Sequence, residues 1–238
     1  MTDVVHVADE TRVGGEVAVA DEVRGADEVR GVETNRERIS RRQVDKFAER
    51  RTQLADAALQ TLAELGYART SLREIAQNSQ FSHGVLHYYF ADKFELITYC
   101  MRQYKAECVT RYDSIVATAG SAAELSRGFG AAMATTLRED ATMHRLWYDL
   151  RNQSLFDETF RADVLEIDQS LERMIWRIVS KFAELSRAPL AVTPSLAYAL
   201  MDGLFQHALL GHLGGSASAT DDLDRSVQHV LATLLATG

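Results

Sequence analysis

Eight side chains between residues 71 and 93 have the chemistry to hold a nucleic acid. Arg73 carries a planar fork of donors suited to the O6/N7 edge of guanine. Ser82, His83, His87 and Tyr88 are polar groups able to meet base edges, Ser71 is a further polar candidate for DNA, and Tyr89 and Lys93 are of the types that anchor phosphates. His83 and His87 are four residues apart, so a helix places them on one face. That pair could touch DNA, stand solvated, or supply two ligands to a metal, although no third ligand stands nearby. Tyr88 has a competing use in a core. The chain contains no glycine-rich phosphate loop, no His-Glu-x-x-His helix and no nucleophile elbow. An enzyme, which here would be a small all-helical one, therefore has no motif behind it, and neither a cofactor nor a metal is implied.

These residues need helices to position them. Only two prolines occur in 238 residues, Pro189 and Pro194. Helix interiors reject proline, so a stretch of 188 residues without one favours an all-α chain. From Val44 onward, Phe47, Leu54, Ala58, Leu62 and Leu65 recur at three- and four-residue steps and predict an amphipathic helix ended by Gly66. Thr70 or Ser71 can cap a short helix whose inner face is Leu72, Ile75 and Ala76. Ser82 caps another, running to about Tyr89, and Asp92 opens a long helix at Lys93. A long helix followed by two short ones across a tight turn makes a helix-turn-helix unit. In its second short helix Val85, Leu86 and Phe90 can face inward, leaving Ser82, His83, His87 and Tyr88 for the major groove.

In order and spacing, Gly66-Tyr67, Thr70-Ser71-Leu72-Arg73-Glu74-Ile75-Ala76, Phe81-Ser82-His83-Gly84-Val85-Leu86-His87-Tyr88-Tyr89-Phe90, Lys93 and Leu96-Ile97 closely resemble the DNA-binding domain of TetR-family transcriptional regulators. Gln80 stands where that family usually has glycine, and His87 where it often has tyrosine. The resemblance covers residues 46 to 97. It implies a homodimer on a palindromic operator, most simply a repressor released by a small molecule. It also implies a second, helical domain that binds the ligand and dimerises through its last long helices. A ligand-independent DNA-binding protein is the alternative, and would lack a cavity.

The domain boundaries expected are a disordered acidic tail with a basic end over 1–40, the helix-turn-helix domain over 41–92, and the ligand-binding and dimerisation domain over 93–238. Within the last, helices are predicted over 92–117, 121–138, 141–153, 157–186, 194–212 and 221–236. Leu196, Leu200, Gly203, Leu204, His207 and Leu210 form an apolar stripe that, with the 157–186 helix, is the expected dimer seam. Tyr104, Phe129, Met143, Trp147, Tyr148 and Arg151 are candidate ligand contacts, with plain core packing as the competing reading of each. Cys100 and Cys108 lie eight residues apart on one helix, about 12 Å along its axis, too far for an internal disulfide. They read as buried thiols.

Charge is distributed unevenly. The whole chain carries a net −8, residues 1 to 35 carry nine acidic groups against three arginines, and Arg36 to Arg51 carries seven basic groups against three acidic. A basic segment in an acidic protein points to local rather than general polyanion binding. Arg36, Arg38, Arg41 and Arg42 could form a DNA-binding arm or a solvated one. The tail repeats Ala-Asp-Glu-Val-Arg-Gly at 20–25 and 26–31, low complexity with too little apolar surface to fold. Alternatively, translation begins downstream, for instance at the Val32 codon. No run of residues suits a membrane helix and no secretory signal is present, so a cytoplasmic location is expected.

Overall fold

The computed structural model of the protein describes residues 35–66, 69–159 and 161–236. The acidic repeats, with the disorder expected of them, lie outside the described residues. Ten helices are described: α1 (Asn35–Leu65), α2 (Leu72–Gln77), α3 (His83–Tyr89), α4 (Lys93–Cys108), α5 (Asp113–Thr118), α6 (Ala122–Glu139), α7 (Ala141–Gln153), α8 (Arg161–Ser186), α9 (Pro194–Leu213) and α10 (Ala219–Thr233). Among the described residues the only β pairing is an isolated bridge between Leu190 and Leu235. The chain forms two compact units that divide within α1, between Lys46 and Phe47. The first unit holds Arg41 and Arg42, and the second, from Phe47 onward, holds the rest of α1 and the nine described helices that follow it.

Local chemistry sets the helix starts. Ser71 opens α2 with a reciprocal cap, its hydroxyl accepting from the Glu74 amide at 3.2 Å while its own amide donates to the Glu74 carboxylate at 2.7 Å. Thr70 is instead buried and donates to the Gly66 carbonyl. Ser82 caps α3 through the Val85 amide, and Asp92 caps α4 through the Glu95 amide. Each such cap contributes about 1 kcal/mol. Gly66, at φ 77°, ends α1 in the left-handed region that costs glycine nothing. Gln80 does not need that region, since Arg187 is the only described non-glycine residue with positive φ.

The apolar stripe of α1 (Leu54, Ala55, Ala58, Leu62) meets Leu72 and Ile75 of α2, Leu86 of α3, and Leu96 and Ile97 of α4 in a continuous core. Arg51 stacks 4.7 Å from the ring centres of both Phe90 and Tyr99 and pairs with Glu95 at 2.6 Å. Glu95 in turn accepts from the Ala91 amide, so one ion pair fixes the bend from α3 into α4. In the rest of the unit, α6 packs closely on α10, and α9 lies against α6, α7, α8 and α10. A side chain at Gly130 of α6 would meet the Asp224 carboxylate and, at 3.0 Å, the Asp224 carbonyl, so glycine is what allows α10 to approach.

Several predicted boundaries move. The first helix begins at Asn35 rather than Val44, so residues 35–40, grouped with a disordered tail in the sequence reading, are helical. The single 92–117 helix is two helices, because Arg177 of α8 donates to the Val109 carbonyl and pairs with Asp113, holding a turn between them. At the start of α8, the Asp157 carboxylate accepts from the Thr159 amide and delays the helix to Arg161.

Candidate functional site

The short helix α3 separates its residues cleanly by environment. Leu86 and Phe90 are buried and Val85 is half-buried, while Ser82, His83, His87 and Tyr88 are exposed. Tyr88 is 73% exposed, so it does not serve the core. The His83 and His87 rings stand edge-to-face with centroids 4.4 Å apart, and no cluster of three or more metal-binding side chains occurs among the described residues. Tyr89 is half-buried against the Phe47 ring at 4.7 Å, with its edge toward Tyr88 at 5.0 Å. On α2, Arg73 is exposed, as is Ser71 just before that helix. Lys93 is half-buried where α4 begins; burial lowers its pKa, and the nearby carboxylates of Glu74 and Asp149 act in the opposite direction. Arg41 and Arg42 are exposed on α1.

A cavity of about 60 Å³ lies within the larger helical bundle. Its walls come from α4 (Lys105), α6 (Met133), α7 (His144, Trp147, Tyr148), α8 (Leu171, Met174, Ile175) and α9 (Tyr198, Met201, Asp202, Phe205), with Tyr112 closing one side. Of the six candidate ligand contacts, Trp147 and Tyr148 stand in this wall. Tyr104 stands behind it, stacked edge-on against His144 at 5.9 Å. Arg151 is also behind it, and ties the wall together. Its guanidinium pairs with Asp202 at 2.5 Å and with Asp168 at 3.4 Å. Tyr148 donates to Asp202 at 2.9 Å, and Tyr198 to Asp168 at 2.5 Å. The result is one satisfied network joining α7, α8 and α9. Phe129 and Met143 do not line the cavity. Phe129 is fully buried against Tyr112 at 5.1 Å, a core position.

Sequence reasoning missed Lys105, which is 2% exposed. Its ammonium lies 5.2 Å from the Trp147 ring centre and 5.3 Å from that of Tyr104, and makes no hydrogen bond or ion pair among the described residues. Burial lowers its pKa to about 8, with the Asp202 carboxylate acting in the opposite direction. Trp147 Nε1 and His144 Nε2 are likewise buried without a hydrogen-bond partner. Burial, with Lys105 and Arg111 nearby, holds His144 neutral well below the usual histidine range. A signal for Lys105 existed, because it continues the buried stripe Ile97, Met101, Lys105, Cys108 at helical spacing. Cys100 and Cys108 are both buried and free.

Helix α7 faces the cavity on one side and the helix-turn-helix on the other. Arg145 donates to the Ala63 carbonyl and, at 3.4 Å, to that of Glu64 at the end of α1. Asp149, one turn on, lies beside Gly66 and acts on Lys93. No described helix is long and apolar enough to cross a membrane.

Comparisons with known proteins agree with this geometry. The profile "Bacterial regulatory proteins, tetR family" matches residues 54–100. The HTH-type transcriptional regulator BetI of Paraburkholderia phymatum is 30% identical over 190 residues, covering 79% of this chain and 93% of that protein. Among solved structures, a regulator from Saccharomonospora viridis in complex with choline superposes with a TM-score of 0.66 at 14% identity, over 80% of this chain and all of the other. The transcriptional regulator FadR of Bacillus subtilis in complex with stearoyl-CoA superposes with a TM-score of 0.61 at 17% identity, over 76% of this chain and 96% of the other. On a helix-turn-helix core, this helical architecture and a likeness that spans 79% of the chain, the protein belongs to the TetR family of bacterial transcriptional regulators.

Proposed function

We propose that the protein is a homodimeric repressor that places one α3 per protomer in the major groove of a palindromic operator, and that a small molecule entering the cavity releases it. The observation that carries this reading is the placement of α7. Its Trp147 and Tyr148 line the cavity, while Arg145 and Asp149, on neighbouring turns, grip the end of α1 and act on Lys93. A ligand that shifts α7 thereby shifts the scaffold of the reading helix, which is the differential contact that coupling between two sites requires. A DNA-binding protein without an effector has no use for such a cavity, and ligands seated in like folds, choline and stearoyl-CoA, support the same assignment. The role is one of binding rather than catalysis, exercised in the cytoplasm where the operator is.

For DNA contacts we assign Arg73, Ser82, His83, His87 and Tyr88 to the groove and Ser71, Tyr89 and Lys93 to phosphates. For the dimer, α9 offers a face left uncovered in the single chain. Leu196, Leu200 and Leu210 are exposed, Leu210 by 74%, while Ala197, Met201 and Phe205 on the opposite face are buried. A second copy would cover that apolar stripe. Selection of binding sites from random duplexes, followed by sedimentation of the complex, tests the reading. It expects an inverted repeat bound by an even number of protomers; sites without two-fold symmetry bound by a lone protomer would overturn it.

A further inference from the structure

An aromatic-walled cavity is ordinarily a place for a cation, because ring faces attract positive charge. In this protein that place is taken. The Lys105 ammonium sits over both the Trp147 and Tyr104 rings, 5.2 and 5.3 Å from their centres. At pH 7 a second monovalent cation about 5 Å away would lose on the order of tenfold in affinity, since the repulsion can be escaped only by stripping the proton from an amine whose pKa is about 8. The cavity's carboxylates cannot compensate. Asp202 is engaged by Arg151 and Tyr148, and Asp168 behind it by Arg151 and Tyr198.

What the cavity lacks is an acceptor. Lys105 Nζ, Trp147 Nε1 and, in one tautomer, His144 Nε2 are donors on its wall, none with a hydrogen-bond partner among the described residues. Two buried polar atoms without a partner, Trp147 Nε1 and His144 Nε2, beside the Lys105 ammonium are a costly arrangement that a ligand acceptor would relieve. We propose that the cavity takes a small organic anion, a monocarboxylate with its head against Lys105 Nζ and Trp147 Nε1 and its alkyl part among Leu171, Ile175 and Phe205. The three methionines of the wall, Met133, Met174 and Met201, have the flexibility to enlarge a 60 Å³ space for the alkyl part. The choline held by the Saccharomonospora viridis regulator carries the opposite charge, so the two proteins differ in ligand class despite their common fold. This inference rests on reading the cavity as the effector site.

The test uses the full chain in a Trp176→Phe background, which leaves Trp147 as the only indole. Butyrate and hexanoate are titrated against butyltrimethylammonium and 1-butanol, following Trp147 emission and melting temperature. The carboxylates should change the emission saturably and, at about a hundred times Kd, raise the melting temperature by on the order of 5 °C. The cation and the alcohol should bind at least tenfold more weakly. Lys105→Met should remain folded and lose at least tenfold in carboxylate affinity, and Lys105→Gln, which keeps a donor without the charge, should lose less. Tighter binding of the cation would overturn the anion proposal while leaving the cavity a ligand site. If none of the four compounds perturbs Trp147, both the anion proposal and the effector-site reading fall.

Discussion

Replacing Lys105 with methionine should make the ligand-free protein more stable. The two side chains are of similar length, so the apolar stem keeps its packing, and what is removed is a charge buried beneath two aromatic rings without a hydrogen bond. The pKa of this amine falls from 10.5 to about 8 on folding. At 1.36 kcal/mol per pKa unit, the protonated amine costs the folded state about 3 kcal/mol. The direction with pH follows from proton binding. Below pH 8 both folded and unfolded chains carry the proton and the cost is complete. Between pH 8 and 10.5 the unfolded chain binds more protons, so stability rises with pH and the cost fades. Cys100 and several tyrosines have pKa values raised by burial and oppose this trend at alkaline pH. They are common to both variants and cancel in the difference. Thermal melts of wild type and Lys105→Met at pH 7 should therefore differ by roughly 6–12 °C in favour of the variant, and the gap should narrow as pH rises past 8. A destabilised Lys105→Met, or a gap indifferent to pH, would refute the view that Lys105 is kept for ligand rather than for structure.

Arg73→Ala and His87→Ala should each cost about 1–3 kcal/mol on the selected operator and far less on random DNA, as competition titrations would register. Lys93→Ala should instead weaken binding to both DNAs and reduce the logarithmic salt slope by about one, because an ammonium at that helix start meets phosphate rather than base. Arg145→Ala should leave Trp147 responsive to ligand while reducing the ligand's effect on operator affinity, since it removes the hold of α7 on the Ala63 and Glu64 carbonyls. Gly130→Ala should lower the melting temperature by roughly 3–10 °C through overpacking against Asp224 of α10.

The DNA-reading half was legible because its signals are local. Ser71, Ser82 and Asp92 cap helices whose inner faces repeat every three or four residues, and capping depends on neighbours within one turn. The parts that were not legible depend on distant residues. The break after Cys108 needs Arg177, 68 residues away from the Val109 carbonyl it meets. The early start of α1 escaped notice because 35–43 has helix-favouring Arg, Glu and Gln but no apolar stripe to reveal it. In the cavity, Trp147 and Tyr148 were readable as aromatics on one helix. Asp168 and Asp202 were not, because a lone acid inside an apolar stripe gains its meaning only from Arg151, Tyr148 and Tyr198 on other helices.

The central claim is that occupancy of the cavity controls the grip of α3 on DNA. Its most direct measurement titrates hexanoate into a preformed complex of the protein with its selected operator, recording Trp147 emission in the Trp176→Phe background and fluorescence anisotropy of the labelled DNA in the same cuvette. The two signals should change together, with anisotropy falling to the value of free DNA as the cavity fills. Saturation of the Trp147 signal with the DNA still fully bound would contradict it.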